Sequence, residues 1–174
     1  MRASLSRPGA ESPACGSVAR MTSAGFVPAD FDPPRELVLP AMHLVPLDVR
    51  HNASDHAAWT SSIAHIRATP GFESHDWPPL EGMSLDANRE DLEAHARDFA
   101  ARTGFTFTVL RPGGEEVIGC VYIYPAEDDA HDAQVRSWVR ADVPELDAEL
   151  RAAVSAWLAD RWPFSRVRYA GRSA

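Results

Sequence analysis

The sequence predicts an α/β domain built on a mixed sheet, and three observations carry that prediction. First, 45% of the 174 residues are apolar and 24% charged, the mixture of one ordinary globular domain. Second, after a polar opening stretch, hydrophobic patterns follow in the order strand, helix, helix, strand, strand, strand, helix, strand. Third, a strand, a helix and a strand are packed into residues 133–170. That spacing makes a βαβ unit, whose two strands run parallel with a right-handed crossover.

Residues 1–25 are rich in Ser, Ala, Gly and Pro, without a period, and are expected to be a disordered tail. Residues 26–40 carry Pro28, Pro33, Pro34 and Pro40, which suits an extended leader on the surface of a domain spanning 41–174. Met42 to Leu47 alternates and reads as the first strand. Asn52 reads as a helix N-cap, with Asp55 in the first turn and Trp59, Ile63 and Ile66 forming one stripe. Residues 69–82 hold three prolines and two glycines and form a loop. Ser84 then caps a helix in which Leu85, Leu92 and Phe99 recur every seven residues, with Gly104 placed as its C-terminal glycine.

Phe105 to Leu110 is aromatic and β-branched, Pro112-Gly113-Gly114 is a turn, and Val117 to Tyr124 is a long apolar strand. The pair predicts an antiparallel hairpin. An acidic loop at 126–132 leads to a strand from Ala133 to Arg140. Asp142 is expected to cap a helix burying Leu146, Leu150, Val154, Trp157 and Leu158. Pro163 stops it, and Phe164 to Ala170 is the last strand.

Charge and cysteine content exclude several classes. With 25 acidic against 17 basic side chains, the net charge is −8, and every basic residue is Arg. An acidic chain without basic runs is a poor nucleic-acid binder. No window approaches the roughly 18 unbroken apolar residues of a membrane span, and no secretory block of about 7–15 apolar residues opens the chain. Cys15 and Cys120 form neither a metal knuckle nor a disulfide framework. A reduced, cytoplasmic setting is therefore expected, with no metal site.

Candidate functional residues come from the strands. Trp59, Tyr122, Tyr124, Trp138 and Tyr169 can line a cleft, although aromatics at these spacings are also ordinary core. Arg136, Arg166 and Arg168 are sharper, because strands buried on both faces should not carry charge. They form either an anion-binding patch or ion pairs with nearby acids. His131 with Asp128, Asp129 and Asp132 could bind a metal or supply a base, or be an ordinary solvated loop, which is the preferred reading. Glu93, His95 and Asp98 read as the polar face of a helix, and no nucleophile elbow or Gly-rich phosphate loop is visible.

The element order and several strings resemble the GCN5-related N-acetyltransferases, in their ribosomal-protein-alanine acetyltransferase branch. The strings are Met42-His43-Leu44-Val45-Pro46-Leu47, Ser84-Leu85-Asp86-Ala87-Asn88, Val117-Ile118-Gly119-Cys120-Val121 and Gln134-Val135-Arg136-Ser137-Trp138-Val139. The resemblance spans residues 40–170. It implies an acetyl-CoA donor between splayed parallel strands, held through Gln134, Trp138, Val139, Arg140 and Ala141, and direct attack by an amine. The acceptor, a small-molecule or peptide amine, would meet Trp59, Tyr122, Tyr124, Arg136 and Arg168, with water or an acid near Asp132 taking the proton.

The sequence departs from the family at the loop that should hold the pyrophosphate. Glu145 and Asp147 stand at the two glycine positions, and Pro144 lacks an N–H. Residues 126–149 hold eight acids against Arg136 and Arg140. A carboxylate ~4 Å from a phosphate costs on the order of 4 kcal/mol near a surface, whereas an amide-to-anion bond gains about 1.5–3 kcal/mol. Acids in a first helical turn also simply stabilise that helix. The family's further helix and closing hairpin have no counterpart before Ala174. Two functions are therefore carried forward: an N-acyltransferase, and a non-catalytic ligand- or protein-binding module whose open last strand would favour a homodimer.

Overall fold

A computed structural model describes residues 25–73 and 77–171. Six strands form one sheet in chain order: β1 (Leu37–Val38), β2 (His43–Pro46), β3 (Phe105–Leu110), β4 (Val117–Pro125), β5 (Ala133–Val139) and β6 (Val167–Tyr169). The helices among the described residues are α1 (Asn52–Thr60), α2 (Ile63–Arg67), α3 (Leu85–Ala101) and α4 (Leu146–Arg161), with a 3-10 turn at Val49–His51. Neighbouring strands are antiparallel except β5 and β6, which run parallel and are joined by α4. The mixed sheet and the crossover are those expected from the sequence. The predicted tail, residues 1–25, lies outside the described residues except for Gly25.

Strand alternation divides the core in two. On one face Leu44, Phe105, Phe107, Val121, Ile123, Val135 and Val139 pack beneath Leu150, Val154, Trp157 and Leu158 of α4. On the other, Val117, Cys120, Tyr122 and Trp138 pack beneath Trp59, Ile66, Phe72 and Leu92. Burial of each large apolar side chain contributes about 1.5–3 kcal/mol. Strands β4 and β5 approach too closely for a side chain at Gly119, where a Cβ would run into the Trp138 carbonyl oxygen. Gly119→Ala is expected to cost roughly 1–3 kcal/mol, read from the urea midpoint. An unchanged midpoint would mean that the two strands separate without cost.

The structure corrects several local readings. The leader is part of the sheet: Leu37 pairs with Leu44, Val27 is buried, and Phe26 and Phe31 lie on the core. Arg102 fastens it by donating to the carbonyls of Pro28 and Phe31 at 2.6 and 2.7 Å. Asn52 is the first residue of α1 rather than its cap. Its amide donates to the Leu85 carbonyl, while Asp48 accepts from Arg50 N to cap the 3-10 turn. The predicted stripe 59–66 is split at Ser61 and Ser62 into α1 and α2. Ser84 does cap α3, accepting from Ala87 N, but Arg102, at φ +61°, ends it in place of Gly104. Gly104 is needed for another reason, because a Cβ there would strike the Tyr124 ring. Asp142 does not cap α4; it accepts from Arg140 at 2.6 Å.

Candidate functional site

Strands β5 and β6 pair over only three positions, Ala133↔Val167, Gln134↔Arg168 and Val135↔Tyr169, and one further bond runs from Ala170 N to Val135 O. Beyond that they part. On β5, Ala133 N and Val135 O point toward β6, whereas Arg140 N points toward β4. By the two-residue period, the main-chain groups of Ser137 and Val139 also face the β6 side, where no strand among the described residues pairs with them. Across the gap Tyr169 donates its hydroxyl hydrogen to Ser137 Oγ at 2.8 Å. Arg151 of α4 lies over the Tyr169 ring and donates to the carbonyls of Tyr169 and Ala170.

Beside the gap, on the face covered by α3, opens a cleft of about 980 Å³. Its walls include His95, Asp98, Tyr122, Tyr124, Glu127 and Arg136. The Tyr124 hydroxyl donates to Asp98 Oδ2 at 2.9 Å and lies 2.8 Å from His95 Nδ1. With its one hydrogen committed to Asp98, Tyr124 accepts from His95 when Nδ1 carries the proton, the tautomer that leaves Nε2 bare; Thr106 Oγ1 also lies 3.2 Å from Nδ1. The nearest carboxylate oxygen, Asp91 Oδ2, is 3.7 Å from Nε2. Burial holds the His95 pKa below the usual value, against the pull of Asp91 and Asp98. The ring is thus held neutral, with an unprotonated nitrogen.

The predicted pocket residues divide in two. Tyr122, Tyr124, Arg136 and Arg168 line the cleft. Trp59 and Trp138 are fully buried core instead, donating from Nε1 to Asn88 and Tyr122 respectively. Arg136 lies over the rings of Phe72 and Tyr122, at 5.2 and 5.3 Å. Arg168 and Arg166 pair with the acidic loop, on Asp128 at 2.7 Å and Asp132 at 2.8 Å, which answers the charge anomaly for those two. Asp132 also accepts from the amides of Arg166 and Ser165, and the Arg166 guanidinium, with these two amides, holds its carboxyl below the usual range. It is a latch on β6 and not a free base, contrary to the expectation for the proton's destination. His131 is tied to Asp128, and no cluster of three or more metal-ligating side chains occurs among the described residues. The sequence by itself puts His95 and Asp98 on a polar helix face. Only the β4 register, which puts Tyr124 beneath them, reveals their place.

The implied donor-binding residues sit around the gap. Gln134 lines the cleft and accepts from Arg168, the Val139 side chain is core, and Arg140 is paired with Glu116 and Asp142. The free main-chain edge at Ser137 and Val139 fits an amide-bearing thioester arm. The following loop does not fit a diphosphate held by amides. The N–H groups of Ala141, Val143, Leu146 and Asp147 already donate to Ser62 Oγ and to the carbonyls of Arg140, Val143 and Pro144. Glu145 is exposed and Asp147 half-exposed, and the Asp147 charge is felt by the Tyr169 hydroxyl that spans the gap.

No protein-family model matches the sequence, and no curated protein matches it. Solved structures do match. A Vibrio cholerae protein described as a ribosomal-protein-serine acetyltransferase superposes with a TM-score of 0.61 at 13% identity, over 80% of this chain and 75% of its own. A ribosomal-protein-S5-alanine acetyltransferase from Vibrio fischeri gives 0.55 at 12% identity, over 72% of this chain and 67% of its own. RimL, a ribosomal L7/L12 alpha-N-protein acetyltransferase in complex with coenzyme A, gives 0.54 at 14% identity, over 70% of this chain and 66% of its own. The fold is that of the GCN5-related N-acetyltransferase superfamily, and the likeness extends to its ribosomal-protein acetyltransferases. No helix among the described residues is long and apolar enough to cross a membrane.

Proposed function

We propose that the chain is an N-acyltransferase that moves an acetyl group from acetyl-CoA to an amine held in the His95 cleft. The observation that carries this reading is His95, joined through Nδ1 to the Tyr124–Asp98 pair, in a cleft beside the parting of β5 and β6. The coenzyme A complex of RimL, which shares the fold, supports the choice of donor. When bound, acetyl-CoA supplies an acyl thioester whose carbonyl carbon an amine attacks.

The chain's own residues do the rest. The main chain of Ser137 and Val139 holds the arm, which requires the Tyr169 hydroxyl to turn away from Ser137. His95 Nε2 takes the amine proton, and Tyr124, fixed by Asp98, orients the ring through Nδ1. Tyr122 forms the apolar floor, with Phe72 packed against it.

The test is release of free thiol from acetyl-CoA by the full chain, assayed against a panel of primary amines and peptides. Amine-dependent release above the rate without acceptor supports the proposal. Absence of release with every amine leaves a ligand- or protein-binding module.

A further inference from the structure

We infer that the acceptor is an amino acid, anchored by its carboxylate on Arg136 while its amine faces His95; this rests on the acyltransferase reading above. Arg136 differs from the other arginine of the cleft, Arg168, which is paired with Asp128. Arg111, Arg140, Arg166 and Arg168 are each paired with a carboxylate. Arg102 and Arg151 are each spent on two carbonyls. The Arg136 guanidinium makes ring contacts with Phe72 and Tyr122, but no hydrogen bond or ion pair among the described residues. It projects from the middle of β5 into the cleft wall, leaving five N–H donors for a ligand.

The base stands next to it. The His95 ring centroid is 5.4 Å from the Tyr122 ring, and the Arg136 guanidinium carbon is 5.3 Å from that same ring. Tyr122 is thus flanked by an anion receptor and a proton acceptor. Asp98 and Glu127 on the same cleft supply negative charge for an incoming ammonium group. One wall for a carboxylate and one for an amine is the charge pattern of a zwitterion. The volume, about 980 Å³, suits a small molecule. A guanidinium also binds a planar carboxylate through two parallel bonds, which fixes orientation as well as affinity.

Two measurements test the inference. In the first, amino acids and their carboxamides are compared as acceptors. The carboxylate form is expected to win by about tenfold or more in kcat/KM, with Arg136→Gln erasing the preference mainly through KM. Arg136→Lys, which keeps the charge and much of the packing, is expected to retain part of it. In the second, calorimetry with the full chain compares N-acetyl amino acids of small, aromatic and basic types with their amides, a readout that needs no turnover. Binding of the carboxylates alone, lost in Arg136→Gln, supports the anchor. Equal use of acid and amide, or a preference that survives Arg136→Gln, overturns it while leaving the acyltransferase standing. No transfer to any amine removes the acyltransferase reading and this inference together.

Discussion

Asp55→Asn is expected to raise stability at pH 8 by up to about 3 kcal/mol and to flatten its dependence on pH. Asp55 is 6% exposed, beneath α3, where Asn88 Nδ2 donates to its Oδ2 at 3.0 Å. Burial pushes its carboxyl up from 3.8 to about 6; the Asn88 bond opposes this, and Asp91 adds to it. The folded state therefore holds the proton more tightly than the unfolded chain. The stability from protonation is complete below about pH 4 and is lost as the pH rises through 6. The gap between 3.8 and about 6 corresponds to roughly 3 kcal/mol. An asparagine keeps an acceptor for Asn88 and has no charge to bury. Urea melts from pH 4 to pH 8 check this. The wild type should lose stability relative to the variant across that window; parallel curves would mean that Asp55 is not ionising inside the fold.

His95→Gln is expected to lower kcat by about 100-fold or more with little change in acceptor KM, because it removes the base and leaves the cleft walls in place. A glutamine amide can still donate to the Tyr124 oxygen, which in wild type lies 2.8 Å from Nδ1. The melting temperature should therefore stay near that of the wild type. A variant with unchanged kcat would transfer the proton-accepting role to water. In the wild type, the His95 pKa below the usual value keeps the base ready at neutral pH and places its own acidic limb below pH 6.5.

Much of the fold was legible because single physical constraints were decisive. The stripe Leu150, Val154, Trp157 and Leu158, between two short apolar strands, permits little but a parallel crossover. What escaped were features without a local signature. A two-residue strand such as Leu37–Val38 has no period to read. The break at Ser61 and Ser62 is invisible because the apolar stripe passes across it. At the site, Tyr122, Tyr124 and Arg136, expected around the acceptor, do line one cleft. Alternation alone does not say how far a roof extends, so Trp59 and Trp138, roofed over by neighbours such as Trp77, read as equally accessible. His95 and Asp98 sit three residues apart on a helix, a pattern shared with any solvated face. Their chemistry depends on a tyrosine 26 to 29 positions further along the chain.

The fastening of the leader sets where the gene can be cut. Phe26 stacks on Phe105 and Phe164, Phe31 meets Trp162 at a tilt, and Arg102 grips the carbonyls of Pro28 and Phe31. An expression clone trimmed to begin at residue 41 would strip those rings from their aromatic bed, leaving a sticky, aggregation-prone surface. One that begins shortly before Phe26 would keep the bed covered.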